Sequence, residues 1–174
     1  MRKLKLFVSI FILFVTINQS SGQTGWNPTG YLGSLGLYKT IFLNENTGFS
    51  VGTSEFVRWI ICKTTNGGLN WIRTLEPPQP TTLSELYSVS FINQTTGYVV
   101  GLADGWSGTG YLFMKTTNQG VSWISQNLGI STSDVLLDIA FCDEFTGYIT
   151  ATGGKVLKTI NSGVNWQTLS TGTQ

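Results

Sequence analysis

The sequence predicts an all-β protein, a β-propeller built of four-stranded antiparallel blades. A first motif, T-x-N-x-G-x-[NS]-W, recurs at spacings of 52 and 43 residues and begins at Thr64, Thr116 and Thr159. A second motif, F-x-x-x-x-T-G-[FY], precedes each copy and begins at Phe42, Phe91 and Phe141. Motifs that recur in order at this spacing are typical of an array of supersecondary units. Charged residues make up only 11% of the chain and aromatic residues 13%, with 21 glycines, a composition typical of β proteins with many tight turns.

The residues of one repeat divide into four strands. Apolar and polar residues alternate before each Phe, as in Leu37, Lys39 and Ile41, which predicts strand A. The T-G turn follows, then strand B beginning with the aromatic residue, then strand C ending in Lys63, Lys115 or Lys158. The first motif makes the next turn and leads into strand D with its Trp. Four short antiparallel strands in about 50 residues are one propeller blade.

The first motif, which we call the box, is predicted to be a structural turn. Its Asn tolerates left-handed backbone and accepts hydrogen bonds from nearby backbone N–H groups. Its Gly takes positive φ without a Cβ clash, and its Trp is predicted to pack between blades. The residues assigned this structural role are Thr64, Asn66, Gly68, Trp71, Thr116, Asn118, Gly120, Trp123, Thr159, Asn161, Gly163 and Trp166, together with Gly48, Gly97 and Gly147 of the T-G turns.

Residues 1–22 are predicted to be a signal peptide. Arg2, Lys3 and Lys5 precede an apolar run from Leu6 to Ile17, and small residues precede Gln23, where cleavage is expected. The alternative is a membrane anchor, but the run is shorter than the ~20 residues that span a bilayer. No Cys lies near the cleavage site, which argues against a bacterial lipoprotein. We therefore expect an exported protein that is secreted, periplasmic or held at the cell surface, without stable membrane insertion.

The remaining chain divides into an orphan strand D and three blades. Residues 23–32, around Trp26, resemble strand D and are predicted to close a propeller; blades 1, 2 and 3 are expected at 33–78, 79–129 and 130–174. Propellers usually have four to eight blades. Four readings stay open: the front of a longer propeller with further C-terminal blades, self-association that closes a ring, a stable three-blade stack, or a wrong assignment of Trp26 to strand D.

Composition excludes several kinds of function. Cleavage at Gln23 removes three of ten basic residues and none of nine acidic ones, so the net charge becomes −2 and no nucleic-acid partner is predicted. The chain has no His, which excludes His-ligated metal sites and His-based triads, and no cofactor is predicted. Cys62 and Cys142 permit a disulfide, but two buried thiols in strands are the favoured interpretation.

The variable connections are where function is expected. Strand direction alternates, so the repeated A–B and C–D turns share one face, and the variable B–C and D–A loops share the other. The predicted binding residues are Arg58 and Trp59 after strand B of blade 1, and Asp104 and Trp106 in the B–C insertion of blade 2. They would form an aromatic, polar platform for a peptide or a sugar. The alternative is that these tryptophans cap the hydrophobic layers of the blades.

The two motifs together resemble known repeats. The box is similar to the Asp-box, or bacterial neuraminidase repeat, S/T-x-D-x-G-x-T-W. With the Lys before it and the preceding T-G motif, the repeats over residues 37–174 resemble most closely those of the photosystem II assembly and stability factor family. That resemblance implies a propeller that holds a protein client. Asn replaces Asp in every box, and only Arg58 and Arg73 remain where an Arg-rich client patch would be expected. The resemblance therefore does not extend to a photosystem client.

Sialidases and some other glycosidases contain Asp-box repeats, so the resemblance also raises the possibility of a glycosidase. Such enzymes generally need two carboxylates about 5 to 9.5 Å apart, and a sialidase also needs an arginine cluster and a Tyr nucleophile. The carboxylates on the loop face are Glu55, Glu85, Asp104 and Asp134. With so few arginines, we predict a protein that is not an enzyme. It would bind a protein client as an assembly scaffold; the alternative is a carbohydrate-binding or glycosidase-derived surface protein whose partner is a cell-surface polymer.

Overall fold

Three consecutive sheets make up the structure. The computed structural model describes residues 36–54, 58–75, 83–103, 110–131 and 133–169. These residues form three sheets of four antiparallel strands, each paired in chain order. We name the sheets blade 1, blade 2 and blade 3. The predicted all-β fold of four-stranded antiparallel blades is confirmed. The predicted signal peptide and the predicted closing strand at 23–32 lie outside the described residues.

The strands are short and of similar length from blade to blade. Blade 1 consists of β1 (Gly36–Phe42), β2 (Gly48–Thr53), β3 (Trp59–Thr64) and β4 (Ile72–Leu75). Blade 2 consists of β5 (Ser84–Phe91), β6 (Gly97–Ala103), β7 (Tyr111–Thr116) and β8 (Ile124–Ser125). Blade 3 consists of β9 (Leu136–Phe141), β10 (Gly147–Ala151), β11 (Lys155–Thr159) and β12 (Gln167–Leu169). No helix among these residues is long and apolar enough to cross a membrane.

The core lies between neighbouring blades. One cluster joins Phe49, Val51, Trp59 and Ile61 of blade 1 to Leu86, Val89, Val99, Ala103, Leu112 and Met114 of blade 2. The other joins Tyr98, Val100, Tyr111 and Phe113 of blade 2 to Leu136, Ile139, Ile149, Ala151 and Leu157 of blade 3. Blade 2 is therefore covered on both faces, which explains why its two central strands are nearly continuous apolar runs. The first strands of the blades lie side by side, with β5 in contact with β1 and β9.

The box closes on itself in all three blades, as the sequence predicted. In blade 1, the Thr64 hydroxyl donates to Asn66 Oδ1 at 3.0 Å and accepts from the N–H of Gly68 at 2.9 Å. Asn66 Oδ1 also accepts from the N–H of Asn70 at 2.9 Å. The same bonds recur in blades 2 and 3. Because these bonds hold the residue before each Trp in the turn, the fourth strand begins one residue after the Trp rather than at it.

The T-G turn and the box turn lie on one face, also as predicted. The N–H groups of Gly67, Gln119 and Ser162 donate to carbonyls of the T-G turns of their own blades, at 2.8 to 2.9 Å. Hydrogen bonds from one side chain to nearby backbone groups hold each T-G turn. Asn44, Asn93 and Asp143, two residues after the motif Phe, each accept two backbone N–H bonds at 2.6 to 3.0 Å. An Asx turn of this kind needs only a side-chain oxygen.

An aromatic ring on each second strand joins one blade to the next. The Phe49 ring of blade 1 stacks on Phe91 of blade 2 with centroids 4.8 Å apart. The Tyr98 ring of blade 2 stacks in the same way on Phe141 of blade 3, at 5.1 Å. A lysine from the adjacent strand covers the Phe49, Tyr98 and Tyr148 rings: Lys63, Lys115 and Lys158 respectively, at 5.2 to 5.7 Å.

Two of the three box tryptophans pack between blades. Trp123 meets Phe49 of blade 1 edge to face, with centroids 6.4 Å apart. Trp166 meets Phe113 of blade 2 in the same manner at 5.8 Å. The prediction of interblade packing is thus confirmed for these two. Trp71 packs instead on Phe42 of its own blade at 5.9 Å, since the described residues contain no blade before blade 1.

Both cysteines are free, but only one is buried. Cys62 lies in β3 with no exposed surface, and burial, partly opposed by Arg73, raises the pKa of its thiol to about 11. Cys142 is exposed and lies in the turn after β9. The prediction of two buried strand thiols is right for Cys62 and wrong for Cys142, which follows the strand end and points out of the blade.

Candidate functional site

The first strand of each blade (β1, β5 and β9), which we call the inner strand, contains a β-bulge near its start. In blade 1, Leu37 pairs with Gly52 and Lys39 with Val51, so Tyr38 is the extra residue. The same shift makes Tyr87 the extra residue in blade 2 and Leu137 the extra residue in blade 3. Bulges re-aim side chains and are common beside functional sites. We call Tyr38, Tyr87 and Leu137 the bulge row.

A small residue on the second strand permits each bulge. A Cβ added to Gly52 would lie 1.8 Å from the backbone oxygen of Gly36, and one added to Gly101 would lie 1.9 Å from that of Glu85. Blade 3 has Ala151 at the equivalent position. The sequence interpretation missed this feature. Its signal is a small residue four positions after the Gly of each T-G turn, where the inner strand approaches closely.

The bulge row presents apolar and aromatic surface on the inner strands. The rings of Tyr38 and Tyr87 lie 5.6 Å apart at an interplanar angle of 41°. Tyr38 is 50% exposed and Leu137 47% exposed. Burial raises the pKa of the Tyr87 hydroxyl to about 12, and a hydrogen bond with Glu85 adds to the effect. The pKa of Tyr38 is raised by burial and by the charge of Glu85. Both phenols therefore stay neutral. The Tyr38 hydroxyl can donate a hydrogen bond to a ligand, whereas the single O–H of Tyr87 bonds to Glu85 and its oxygen can accept one.

A polar network from all three blades lies next to the bulge row. Asp138 of blade 3 accepts a hydrogen bond from the Ser88 hydroxyl of blade 2 at 2.6 Å. Lys39 of blade 1 lies 3.3 Å from the same carboxylate oxygen. Burial alone would raise the pKa of Asp138, but these two partners outweigh it, and the pKa is lowered. The carboxylate is thus ionised at neutral pH and joins the inner strands electrostatically.

An open groove follows the inner strands from this network toward the T-G turns. It has a volume of about 290 Å³. Residues of β1, β5 and β9, with the residue that follows β1, line it: Lys39, Ile41, Phe42, Leu43, Val89, Ser90, Phe91, Ile139, Ala140 and Phe141. We call it the inner-strand groove. With the bulge row at one end and apolar side chains along its length, it can hold an extended chain with alternating apolar groups.

The predicted platform residues of blade 1 lie inside the fold. Trp59 is 1% exposed and belongs to the core between blades 1 and 2, and Arg58 is 7% exposed. This burial favours the alternative in which the tryptophan caps a hydrophobic layer. Asp104 and Trp106 lie outside the described residues, so the binding role of the loop face stays a prediction.

The two described carboxylates that were considered for catalysis, Asp134 and Glu85, each have another partner. Asp134 is 5% exposed and forms an ion pair with Lys155, whose Nζ lies 2.7 and 2.8 Å from its two oxygens. Glu85 lies beside Tyr87, whose raised pKa is the reverse of what a tyrosinate nucleophile requires. Glu55 lies outside the described residues, as Asp104 does. Among the described residues, no group of three or more His, Cys, Asp or Glu side chains could hold a metal ion.

Solved structures with similar folds are propeller proteins. YCF48 bound to D1 peptide matches with a TM-score of 0.62 and 20% identity, over 79% of this chain and 40% of that one. YCF48 from Cyanidioschyzon merolae matches with a TM-score of 0.57 and 19% identity, over 79% of this chain and 38% of that one. The Niastella koreensis GH74 enzyme matches with a TM-score of 0.57 and 16% identity, over 78% of this chain and 23% of that one. The blades of this chain are propeller blades.

These likenesses concern the fold. The chain spans less than half the length of each of the three matched proteins. No protein-family model and no curated protein matches the sequence. One matched protein was solved with a bound peptide and another is an enzyme, so the shared architecture is compatible with either kind of function.

Proposed function

We propose that this chain is a non-catalytic propeller scaffold that binds an extended segment of a protein client along its inner strands. The observation that carries the proposal is the bulge row, where three repeats each place an extra aromatic or apolar residue beside one polar network. A peptide would lay apolar side chains into the inner-strand groove. Its backbone would hydrogen-bond to the Tyr38 and Tyr87 hydroxyls and to Lys39.

Two further observations support a protein client. Bulges at the same position of three blades give a periodic surface, and an extended peptide presents side chains at a regular spacing. YCF48, similar in fold, has been solved with a peptide bound. Because a signal peptide is predicted at residues 1–22, we expect the client outside the cytoplasm. Amino-terminal sequencing of the natural protein tests that location, with a start at Gln23 expected.

The alternative function is carbohydrate binding by a surface protein. The fold similarity to a GH74 enzyme and the presence of Trp106 in the longest B–C insertion favour it. The two functions use different surfaces, because peptide binding is expected on the inner strands and sugar binding on the loop face. Variants at each surface therefore separate them.

The test compares a peptide-display library with a glycan array, using the natural protein as probe. For a selected peptide, Tyr38→Ala should weaken binding about tenfold or more, as truncation of an aromatic anchor does. Phe145→Ala is the matched control, since Phe145 is 62% exposed and does not line the groove. It should bind like the unmodified protein.

Three outcomes count against the proposal. Peptide binding that is equal in Tyr38→Ala and Phe145→Ala would remove the inner strands as the site. A glycan signal that disappears in Trp106→Ala, with no peptide selected, would support the carbohydrate function instead. Turnover of an artificial glycoside would overturn both binding functions.

A further inference from the structure

The two tyrosines of the bulge row point back toward the residue two positions before them. In blade 1 that residue is Gly36, and a Cβ added to it would lie 3.5 Å from the Tyr38 hydroxyl oxygen. In blade 2 the equivalent residue is Glu85, whose carboxylate accepts a hydrogen bond from the Tyr87 hydroxyl. Blade 2 therefore has a carboxylate beneath its tyrosine where blade 1 has no side chain.

The Glu85 carboxylate has no cationic partner among the residues that the structure describes. The ion pairs between described residues join Lys39 to Asp138 and Lys155 to Asp134, and none includes Glu85. Glu85 is half-buried, so part of its surface stays open to a ligand. A carboxylate that accepts one phenol O–H keeps lone pairs for further donors. Glu85 can therefore accept a hydrogen bond from a bound group.

The bulge-row end of the inner-strand groove has an excess of negative charge. Lys39 lies 3.3 Å from Asp138 and balances that carboxylate. Glu85 is left as the uncompensated charge. Burial raises the pKa of the Tyr38 hydroxyl and the charge of Glu85 adds to the rise, so the field of Glu85 extends to the tyrosine of the neighbouring blade. A positively charged group bound at this end is therefore attracted.

The two tyrosine rings add an attraction of the same sign. Their centroids lie 5.6 Å apart, and Tyr38 is 50% exposed. The face of an aromatic ring attracts a lysine ammonium or an arginine guanidinium, and more strongly where water is partly excluded. The chain already makes this contact in every blade, where a lysine covers the ring on the second strand at 5.2 to 5.7 Å: Lys63, Lys115 and Lys158.

We propose that Tyr38, Glu85 and Tyr87 form a subsite for a basic side chain, lysine or arginine, of the client segment. The cationic group lies over the Tyr38 ring and donates to the Glu85 carboxylate. It also donates to the Tyr87 oxygen, whose own proton is given to Glu85. The apolar stem of the basic side chain lies along the rings. This subsite rests on the proposed peptide function and specifies one residue of the client.

The first experiment sequences peptides selected from a display library with the natural protein as probe. Only peptides whose binding is weakened by Tyr38→Ala are kept, because these bind at the bulge row. One position in them should be occupied by Lys or Arg. A synthetic copy with norleucine at that position keeps the apolar stem and removes the charge. Titration calorimetry should show that the basic peptide binds about tenfold more tightly than the norleucine copy.

The second experiment removes the charge of the protein instead. Glu85→Gln keeps an oxygen that accepts from the Tyr87 hydroxyl, so the variant should unfold at the same urea concentration as the unmodified protein. It should bind the basic peptide about tenfold more weakly and the norleucine copy equally well. Glu45→Gln is the matched control, since Glu45 is exposed and does not line the groove. It should keep the tenfold preference.

A third measurement needs no substitution in the protein. Added salt screens charges, so it should weaken binding of the basic peptide to the unmodified protein and leave the norleucine copy nearly unchanged. Equal salt dependence of the two peptides would count against the subsite, even if Glu85→Gln failed to fold.

The outcomes separate the subsite from the peptide function. Peptides that require Tyr38 but contain no basic residue, or that bind as well with norleucine, would overturn the subsite and leave the function standing. A tenfold preference that persists in Glu85→Gln would also overturn it and would assign the charge recognition to Asp138. If no peptide is selected, or if Tyr38→Ala weakens none, the peptide function fails and the subsite fails with it.

Discussion

At the interface between blades 1 and 2, the carbonyl of Gln119, just before the box Gly, accepts a hydrogen bond from Lys63. At the interface between blades 2 and 3, the equivalent carbonyl, that of Ser162, accepts a hydrogen bond from the Tyr98 hydroxyl. The rings beneath are Phe49 and Tyr98, which differ only by that hydroxyl. A ring and a lysine are present at both interfaces, so the geometry of the box is the constant and the donor varies. The left-handed turn presents the carbonyl, and either neighbour can satisfy it.

The largest effect on stability is expected from a substitution that fills the space between Gly120 and the Phe49 ring. Gly120 and Gly68 both have positive φ, of 74° and 87°, so Ala costs backbone strain at both. Only at Gly120 would the new Cβ also press on a ring, Phe49. Gly120→Ala should therefore lower the free energy of unfolding by about 2 kcal/mol more than Gly68→Ala does. Urea denaturation of the two variants checks this, and equal losses would show that the ring contact contributes nothing.

A smaller effect is expected from exchanging the donors. Tyr98→Phe gives the second interface the residues of the first, so Lys115 should move to the Ser162 carbonyl as Lys63 does to that of Gln119. Tyr98→Phe alone should cost less than about 1 kcal/mol of unfolding free energy, the value of a typical hydrogen bond. With Lys115→Met added, the loss should exceed the sum of the single losses. Strict additivity in the double-mutant cycle would refute the exchange.

The smallest effect concerns the T-G turns, where blade 3 has Asp143 and the other blades have Asn. Hydrogen bonds from the N–H groups of Thr146 and Phe145 lower the pKa of Asp143. Because the pKa is lower in the folded state, the Asp143 carboxylate contributes fully to the free energy of unfolding above the ordinary Asp pKa of about 3.9. That contribution is lost as the pH falls through the pKa of the folded state. Asp143→Asn should reduce the acid sensitivity of unfolding. Denaturant midpoints measured from neutral to acidic pH test it; identical pH profiles for both proteins would contradict it.

Features set by neighbours in sequence could be predicted from sequence. Thr64, Asn66 and Gly68 make the box within a few residues, so the motif alone determines its bonds. The four-strand order and the shared turn face follow in the same way. The role of Asn44 in the T-G turn has an equally local signal, its position two residues after the motif Phe.

Features that depend on distant strands could not be predicted in the same way. The bulge at Tyr38 depends on how β1 pairs with Gly52, and only the small residue at that position hints at it. Trp59 follows a loop, and loop position suggested exposure, but the sheet of blade 2 covers it. The sequence around Trp59 does not indicate this burial, because the residues that pack in the same cluster, such as Leu86 and Leu112, belong to another repeat.

The self-contained box also has a consequence for how the chain folds. Each blade pairs only strands that follow one another, and each box forms its bonds within seven residues, from Thr64 to Asn70 in blade 1. Such short sequence separations favour fast formation of each blade, while the contacts at Phe49 and Tyr98 require two finished sheets. Each blade should therefore form before it docks on its neighbour. In the folded protein, opening should begin at blade 3, whose two central strands are only partly buried, and hydrogen exchange should be slower in the buried central strands of blades 1 and 2.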